Sequence, residues 1–200
     1  MKRIDDIEKL LSISSGQMTY EEYELIYKLI QKNAPCSLLI FGLGNDSRLW
    51  TKLNDGGYSL FIEDNKEWIE KIKPSLIGDY DVFYYKYNTS VNRWENDIKR
   101  ENLLNLFKLR FQNNHQNEIL YNTHWKIVLV DAPIGYQRRY LKYFNEHPGR
   151  ISSISTTYSL DKDNVLLHDC DRPAEDHLSM KFFGNDFTQV NRLRYWKIKN

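Results

Sequence analysis

Short apolar runs alternate with stretches of helical periodicity along most of the chain. Five such runs, at residues 38–41, 58–63, 81–87, 127–130 and 164–167, predict β-strands. Between them, apolar side chains recur every three or four residues, which is the spacing of amphipathic helices. Strands that alternate with helices and are apolar throughout favour a mainly parallel sheet covered on both faces. The pattern therefore predicts a doubly wound α/β fold.

The first 33 residues predict a helical cap in front of this core, which occupies residues 34–200 of a single domain. Residues 1–16 show a weakly amphipathic pattern. Thr19 and Glu22 then match the T-x-x-E capping box that begins a helix. Further helices are predicted at 47–53, near Trp68–Ile72, near Trp94–Leu109, at 151–158 and from Pro173 past Phe182.

The remaining segments are shorter. The asparagine-rich stretch at 113–117 predicts a surface loop. Residues 187–190 and 193–198 predict a final pair of strands. No internal repeat or low-complexity tract interrupts the chain, which is consistent with one domain.

The composition disfavours nucleic-acid-binding, membrane-spanning, secreted and disulfide-rich proteins. The chain has 200 residues, of which 41% are hydrophobic, and a formal net charge of +1, whereas a nucleic-acid-binding domain normally carries a basic excess. No apolar run approaches the roughly 18 residues of a membrane span, and the acids among the first eleven residues are unlike a signal peptide. Cys36 and Cys170 are too few for a disulfide framework, so we expect two free thiols in a reducing, cytoplasmic compartment.

The segment Pro35–Trp50 combines a strand, a tight glycine turn and a helix start. Gly42 and Gly44 lack side chains, so the backbone there can approach a ligand closely. The next strand ends in Glu63 and Asp64, about 20 residues further on, where nucleoside-binding βαβ units place a ribose-binding carboxylate. We therefore expect a nucleoside cofactor whose ribose hydroxyls donate to Glu63. The third glycine of G-x-G-x-x-G is absent, which disfavours a nicotinamide dehydrogenase.

Acidic side chains and a histidine follow two later strands. Asp131 ends the strand at 127–130, and His168-Asp169-Cys170-Asp171 ends the strand at 164–167. Because ligands of open α/β sheets bind beyond the carboxyl ends of the strands, we expect these side chains over a reacting centre. An aspartate at a strand end can also serve only as the N-cap of the next helix. Arg150 could either anchor a substrate or lie on the surface.

Five segments resemble the motif series of the glucuronoxylan 4-O-methyltransferase family of plants, the polysaccharide-biosynthesis domain. They read PCSLLIFGLGNDSRLW, GGYSLFIEDNKEW, DAPIGY, HPGR and LLHDCDRPAED. The resemblance runs from Gln17 to Ile198 and is most specific in the patterns FGLG-x-DS-x-x-W and HD-x-DR. The chain departs from the family at EDN, where the family has EED, and in segments 92–122 and 137–147, where a glycan would be recognised. It also shows no counterpart of the membrane anchor and lumenal stem of the plant enzymes.

The resemblance implies a Rossmann-like class I methyltransferase. Such an enzyme uses S-adenosylmethionine to methylate a sugar hydroxyl of a glycan or polysaccharide, either a uronate or a deoxysugar such as rhamnose. On this resemblance the cofactor-binding residues are Phe41, Gly42, Gly44, Asp46, Ser47, Glu63 and Asp64. The catalytic residues are Asp131, His168 and Asp169. The substrate-binding residues are Tyr136, Arg150, Asp171 and Arg172.

Three questions stay open at the level of the sequence. Either Asp131 or the pair His168–Asp169 could be the base that removes the hydroxyl proton. Asp131, Asp169 and Asp171 could instead hold a divalent cation such as magnesium or manganese. The chain could also be a catalytically inactive glycan-binding or scaffold module on the same fold, or one domain of a longer glycosyltransferase-type polypeptide.

Overall fold

The computed structural model describes residues 4–13, 17–134 and 148–198. Within these residues, one sheet is formed by β1 (Ser37–Phe41), β2 (Tyr58–Glu63), β3 (Asp79–Tyr84), β4 (Trp125–Val130), β5 (Lys162–Leu167), β6 (Thr188–Val190) and β7 (Leu193–Lys197). The α-helices in the same residues are α1 (Asp5–Ile13), α2 (Tyr20–Asn33), α3 (Ser47–Leu53), α4 (Lys66–Ile72), α5 (Trp94–Asp97), α6 (Leu103–Phe107), α7 (Asn114–Asn122), α8 (Ile151–Ser159) and α9 (Pro173–Phe183). Short 3₁₀ helices lie at Lys73–Ser75 and Val91–Arg93.

The sheet has the order β3-β2-β1-β4-β5-β7-β6. Strands β1 to β5 pair in parallel, and β7 lies antiparallel to both β5 and β6. The strand order reverses between β1 and β4, and such a switch point opens a crevice at the carboxyl ends of the strands. The predicted doubly wound, mainly parallel fold is confirmed.

Both faces of the sheet are buried by helices, because successive strand residues point to opposite sides. Leu39 of β1 belongs to a core cluster that includes Ile154 of α8. Leu38, its neighbour, belongs to a second cluster with Ile26 of α2 and Trp50 of α3. Burial of each such side chain stabilises the fold by roughly 1.5–3 kcal/mol. The strands therefore form a rigid support for the residues at their carboxyl ends.

The two N-terminal helices are part of the second core cluster. The predicted capping box is present: the Thr19 hydroxyl accepts from the Glu22 N–H at 3.3 Å, and Oε2 of Glu22 accepts from the Thr19 N–H at 2.7 Å. Tyr23, Ile26 and Ile30 on the same helix are fully buried. Helix α2 is thus fixed against the sheet, and it carries the carboxylate of Glu22 into the interior.

Two segments differ from the sequence prediction in their limits. The third strand spans Asp79–Tyr84 rather than 81–87, because it pairs residue by residue with β2 and ends where β2 ends. The helix predicted near 94–109 is two short helices, α5 and α6. Asn102, which precedes α6, has a left-handed backbone with a φ of 59°, and this conformation interrupts a helix.

The prediction of a surface loop at 113–117 is wrong. These residues begin α7, and the side-chain oxygen of its N-cap, Asn113, accepts from the His115 N–H at 2.9 Å. Asn117 bonds to both backbone groups of Phe111, each at 2.8 Å. Asparagine favours helix caps as well as turns, because its short amide competes for backbone groups. Its abundance therefore does not separate a loop from a helix start.

The cysteines are both free thiols, as predicted. Burial raises the pKa of Cys36 to about 11 and that of Cys170 to about 12, so both thiols are uncharged at neutral pH. Among the helices of the described ranges, none has both the length and the apolar character needed to cross a membrane.

Candidate active site

A cavity of about 540 Å³ opens at the carboxyl ends of β1, β2, β4 and β5. It lies at the switch point of the strand order, where open α/β sheets bind their ligands. The predicted site residues that line it are Gly42, Gly44, Asp46, Glu63, Asp64, Asp131, Arg150, His168, Asp169 and Arg172. Their contacts divide them into two groups. A glycine loop and three acids lie on one side of the cavity, and a network of ion pairs lies on the other side.

The loop after β1 presents bare backbone to the cavity. Gly42 has a φ of +115°, which side chains rarely allow, and a Cβ there would lie 3.3 Å from Cβ of Ala132. At Gly44 a Cβ would lie 2.6 Å from Oδ1 of Asp46. The Gly44 N–H donates to Oγ of Ser47 at 2.9 Å, which fixes the loop at the start of α3. Gly42 is therefore required by the shape of the loop, whereas a side chain at Gly44 would displace the carboxylate of Asp46.

Glu63, at the end of β2, ties two cavity loops together. Its Oε2 accepts from the Leu43 N–H at 3.0 Å, and its Oε1 accepts from the N–H groups of Asp64 and Asn65 at 3.0 and 2.8 Å. Burial raises the pKa of Glu63 to about 7. A carboxylate has about four acceptor positions, so one remains for a ligand. The structure thus gives Glu63 a supporting role that the sequence did not reveal.

Two further carboxylates make this side of the cavity acidic. Burial raises the pKa of Asp46 to about 6, and burial also raises the pKa of Asp64. Trp68 of α4 donates from Nε1 to the Leu43 carbonyl, which places an aromatic ring beside the glycine loop. No cationic side chain lines the cavity from the described loops after β1 and β2. A positively charged ligand therefore suits this side.

His168 and Asp131 form a charged pair at the ends of β5 and β4. Nδ1 of His168 lies 2.9 Å from Oδ1 of Asp131. Burial by itself lowers the pKa of His168, but the nearby carboxylates of Asp131, Glu22 and Asp169 raise this pKa to about 9. For Asp131, burial acts to raise the pKa, but His168 and Arg150 outweigh it and lower the pKa to about 2. The pair is therefore an imidazolium and a carboxylate at neutral pH.

Asp169 is surrounded by three arginines. Its Oδ2 lies 2.8 Å from Nη2 of Arg150 and 2.8 Å from Nη2 of Arg172, and its Oδ1 lies 3.2 Å from Nη1 of Arg192. Only 5% of the Asp169 side chain is exposed, against 32% for Asp131. Both oxygens of Asp169 are thus committed to guanidinium groups, and Asp131 is the more accessible of the two carboxylates that line the cavity.

The ligand atoms of Asp131, His168 and Asp169 lie within 4.8 Å of one another, a spacing that a metal ion could use. The charges oppose such an ion, because His168 is protonated at neutral pH and three guanidinium groups already neutralise Asp169. Asp171, the third carboxylate of the predicted cation site, has an exposed side chain and is not in this group. The structure therefore does not assemble the predicted ligand set of Asp131, Asp169 and Asp171.

Arg150 is buried and bonds to the protein itself, which favours a structural role, while its role as a substrate anchor stays a prediction. Its guanidinium donates to the carbonyl oxygens of Pro133, His168 and Asp131 at 2.8, 2.9 and 2.8 Å. It also pairs with Asp169 at 2.8 Å, and only 4% of the residue is exposed. Arg150 therefore joins the ends of β4 and β5 to the start of α8 and holds Asp131 in place.

Arg172 is the predicted substrate residue that keeps access to the cavity. Its side chain is 16% exposed and pairs with Asp169. Its Nη1 donates to the Ile134 carbonyl at 3.0 Å. A guanidinium has five N–H donors, so Arg172 retains donors for a hydroxyl or an acidic group of a ligand.

Of the predicted residues that the structure describes, Phe41, Ser47 and Asp171 do not line the cavity. Phe41 is fully buried in the core, and its carbonyl accepts from the Asp131 N–H at 2.9 Å. Ser47 is also buried and supports Gly44 rather than a ligand. Tyr136 lies outside the described residues.

Two charged residues of the site gave no signal in the sequence. Oε2 of Glu22 lies 3.6 Å from Nε2 of His168. Arg192, between β6 and β7, pairs with Asp169 and donates its backbone N–H to Oε1 of Glu22 at 2.7 Å. The capping box alone accounts for Glu22, and an arginine beside a hairpin turn is usually a surface residue. Only tertiary packing brings both residues to the end of β5.

The fold and the cavity define a class of protein. The crystal structure of a methyltransferase-like protein from Silicibacter pomeroyi matches this chain with a TM-score of 0.53 and 14% sequence identity. The match covers 91% of this chain and 87% of that protein. The chain therefore has the Rossmann-like fold of methyltransferases, as the motif resemblance implied.

Within that class, the chain belongs to the IRX15/IRX15L/GXM family, whose family model matches residues 21–198. It is 32% identical to glucuronoxylan 4-O-methyltransferase 2 of Arabidopsis thaliana, over 91% of this chain and 66% of that protein. It is 29% identical to arabinogalactan O-methyltransferase 2 of the same plant, over 92% of this chain and 68% of that protein. The chain thus spans about two thirds of the length of these relatives. The family predicted from the motifs is confirmed.

Proposed function

We propose that this chain is an S-adenosylmethionine-dependent O-methyltransferase that methylates a sugar hydroxyl of a glycan. The observation that carries the proposal is the cavity at the switch point between β1 and β4, whose two sides suit the two reactants. One side has bare backbone and three carboxylates, and the other holds an ionised, partly exposed Asp131. The names of the relatives, a glucuronoxylan and an arabinogalactan O-methyltransferase, support the same reaction class.

The acidic side fits S-adenosylmethionine, which supplies an electrophilic methyl group when bound. Gly42 and Gly44 line the cavity with backbone that carries no side chain. Glu63 keeps an acceptor position for a ribose hydroxyl, and Asp46 and Asp64 add negative charge that favours a cationic ligand. We assign these five residues to cofactor binding.

We assign the proton-accepting role to Asp131. A sugar hydroxyl becomes a good nucleophile only as its proton leaves, so a base must lie within hydrogen-bonding reach. His168 is already protonated at neutral pH, and Asp169 is committed to arginines. Asp131 is ionised, and it is Oδ1 that bonds to both His168 and Arg150. Oδ2 is therefore the oxygen that we assign to the acceptor hydroxyl.

The acceptor in this proposal is a polysaccharide, with a uronate or a deoxysugar such as rhamnose as the methylated unit. Arg172 can donate to either kind of sugar. We leave a divalent cation out of the reaction, because the arginines already balance the charge of Asp169. The named relatives are methyltransferases and lend no support to a longer glycosyltransferase-type polypeptide. The cytoplasmic location stays a prediction.

Calorimetric titration with S-adenosylmethionine tests the cofactor, and transfer of a labelled methyl group to xylan, arabinogalactan and rhamnose-containing glycans tests the reaction. We expect saturable binding and transfer to at least one glycan. Absence of binding at millimolar cofactor would overturn the proposal. Binding without transfer to any glycan would indicate an inactive module instead.

Asp131→Asn separates catalysis from binding. We expect cofactor affinity to be retained and kcat to fall by about 10²- to 10⁴-fold, which is the usual contribution of a general base. Asp55→Asn is the matched control, since Asp55 is exposed in the turn after α3 and should leave both quantities unchanged. If Asp131→Asn kept its full kcat, Asp131 would not be the base.

A further inference from the structure

Glu22 connects the N-terminal helices to the candidate active site through a buried contact. The residue is fully buried on α2, and its Oε2 lies 3.6 Å from Nε2 of His168. That nitrogen is itself buried and has no hydrogen-bond partner among the described residues. The other ring nitrogen, Nδ1, faces Asp131 at 2.9 Å. The imidazole ring is therefore enclosed between two carboxylates from different parts of the fold.

The carboxylate of Glu22 is held rigidly at both oxygens. Oε2 accepts from the Thr19 N–H at 2.7 Å, and Oε1 accepts from the Arg192 N–H at 2.7 Å. One of these donors belongs to the N-terminus of α2 and the other to the segment between β6 and β7. Hydrogen bonds to a carboxylate keep it ionised, and the helix N-terminus adds to this effect. Burial raises the pKa of Glu22, but His168 and these donors outweigh it, so the pKa is lowered.

We propose that Glu22 is a positioning residue whose carboxylate holds the His168 ring so that Nδ1 faces Asp131. The role deepens the proposed function and rests on it only for the kinetic consequence. The charged groups that face His168 from the surrounding elements are Asp131, Asp169, Arg150, Asp46 and Glu22. Of its three carboxylate ion pairs, those with Asp131 and Asp169 involve Nδ1, and that with Glu22 involves Nε2.

This arrangement gives Glu22 a task that the other carboxylates cannot perform. With Nε2 facing an anion, the ring is favoured as an imidazolium, which donates from Nδ1 to Asp131. Rotation of the ring about its Cβ–Cγ bond would move both nitrogens away from their carboxylates. Without that anion, His168 would lose its proton more easily, and Asp131 would lose part of the charge that keeps it ionised and aligned. Glu22 thus acts on the acceptor hydroxyl only through His168 and Asp131.

Glu22→Gln is the test variant, because glutamine can keep the capping box while the charge is removed. Two controls accompany it. Glu21→Gln removes the same charge from an exposed position on the same helix. Thr19→Ala weakens the helix cap and leaves the Glu22 carboxylate in place. The pKa of His168 is measured in each protein by NMR titration of the five histidines, with His168→Asn used to assign the signal.

We expect Glu22→Gln to lower the pKa of His168 by about one pH unit or more, as loss of an opposite charge at this distance does. The alkaline limb of kcat/KM should move down by the same amount, so that a shift of one unit lowers kcat/KM at pH 9 about fivefold relative to wild type. Glu21→Gln should leave the pKa of His168 and the pH profile unchanged. Thr19→Ala should lower the melting temperature and leave the pKa of His168 unchanged.

An unchanged His168 titration in Glu22→Gln would overturn the inference, even if that variant were less stable. A measurement on the wild-type protein alone can also overturn the inference, should the variant fail to fold. The ¹⁵N shifts of His168 should show both ring nitrogens protonated at pH 7.5, and a neutral ring would refute the role of Glu22. Because the NMR readout needs no cofactor or glycan, failure of the inference is distinguishable from failure of the proposed function.

Discussion

Replacing Arg150 with methionine should destabilise the protein rather than weaken substrate binding alone. The residue is 4% exposed, and its guanidinium bonds to three carbonyl oxygens and pairs with the carboxylates of Asp131 and Asp169. Methionine fills a similar length and makes none of these contacts. The carbonyls at the ends of β4 and β5 would then lose their donor, and Asp131 would lose one of its two cationic partners.

The magnitude follows from the burial of the pairs. Removing one partner of a buried ion pair costs about 3–5 kcal/mol. Two arginines remain beside Asp169, which places the expected loss toward the lower end of this range. Natural domains are stable by about 5–15 kcal/mol, so the change is a large fraction of the total. For a chain of this length it corresponds to a fall in melting temperature of roughly 6–20 °C.

Urea unfolding followed by circular dichroism measures this loss of unfolding free energy. The same substitution at two other arginines provides the comparison. Arg172→Met should cost less, about 1 kcal/mol, since Arg172 is partly exposed and makes fewer contacts. Arg48→Met, at an exposed position of α3, should stay within about 0.5 kcal/mol of wild type. If Arg150→Met were as stable as Arg48→Met and raised only KM for the glycan, Arg150 would be a substrate anchor and the structural role would be refuted.

Two further predictions concern the acidic side of the cavity. Glu63→Ala removes the acceptor of three backbone N–H groups and of the ribose hydroxyl. The affinity for S-adenosylmethionine, measured by calorimetry, should therefore fall about tenfold or more. An unchanged affinity would contradict the assignment of Glu63 to ribose binding. Burial raises the pKa of Glu63 to about 7 in the free protein, and a cationic ligand should lower this pKa. Binding near pH 7 should therefore release protons. The affinity for S-adenosylmethionine should then rise as the pH increases through about 7. Titrations in phosphate and in Tris at pH 7 should then give different apparent enthalpies, whereas equal values would contradict proton release.

Much of the fold could be predicted because its signals are local. The segment Ser47–Leu53 is a helix as predicted, since a glycine turn and capping residues mark its start. The strand Tyr58–Glu63 also has its predicted limits, because a glycine turn precedes it and the acids Glu63 and Asp64 mark its end. The loop predicted at 113–117 failed because asparagine serves helix caps and turns alike. Only the contact of Asn117 with Phe111 decides between the two states.

The members of the candidate site could be predicted better than their roles. Strand ends identified Asp131, His168 and Asp169, because parallel strands deliver their carboxyl ends to one edge of the sheet. The same reasoning could not show that the guanidinium of Arg150 bonds to backbone carbonyls, since those carbonyls belong to two segments, after β4 and after β5, that are far apart in the sequence. Glu22 could not be predicted as a site residue for a similar reason. Its carboxylate takes part in a local helix cap, which the sequence shows, and in a long-range ion pair, which the sequence does not show. Burial of a charged side chain depends on tertiary packing, and a local sequence pattern therefore does not predict it.

The distribution of charge in the cavity gives a physical reason for its two sides. On the side of β1 and β2, Asp46 and Glu63 have raised pKa values, so a cationic ligand gains by restoring their ionisation. On the side of β4 and β5, each anion is already paired with His168 or with an arginine, and Asp131 has a pKa lowered to about 2. A second cation gains little there, while a neutral hydroxyl can bond to Asp131 without disturbing the network. A cationic methyl donor and the neutral hydroxyl of an acceptor would therefore bind on opposite sides of the same cavity, and the switch point of the sheet brings these sides together.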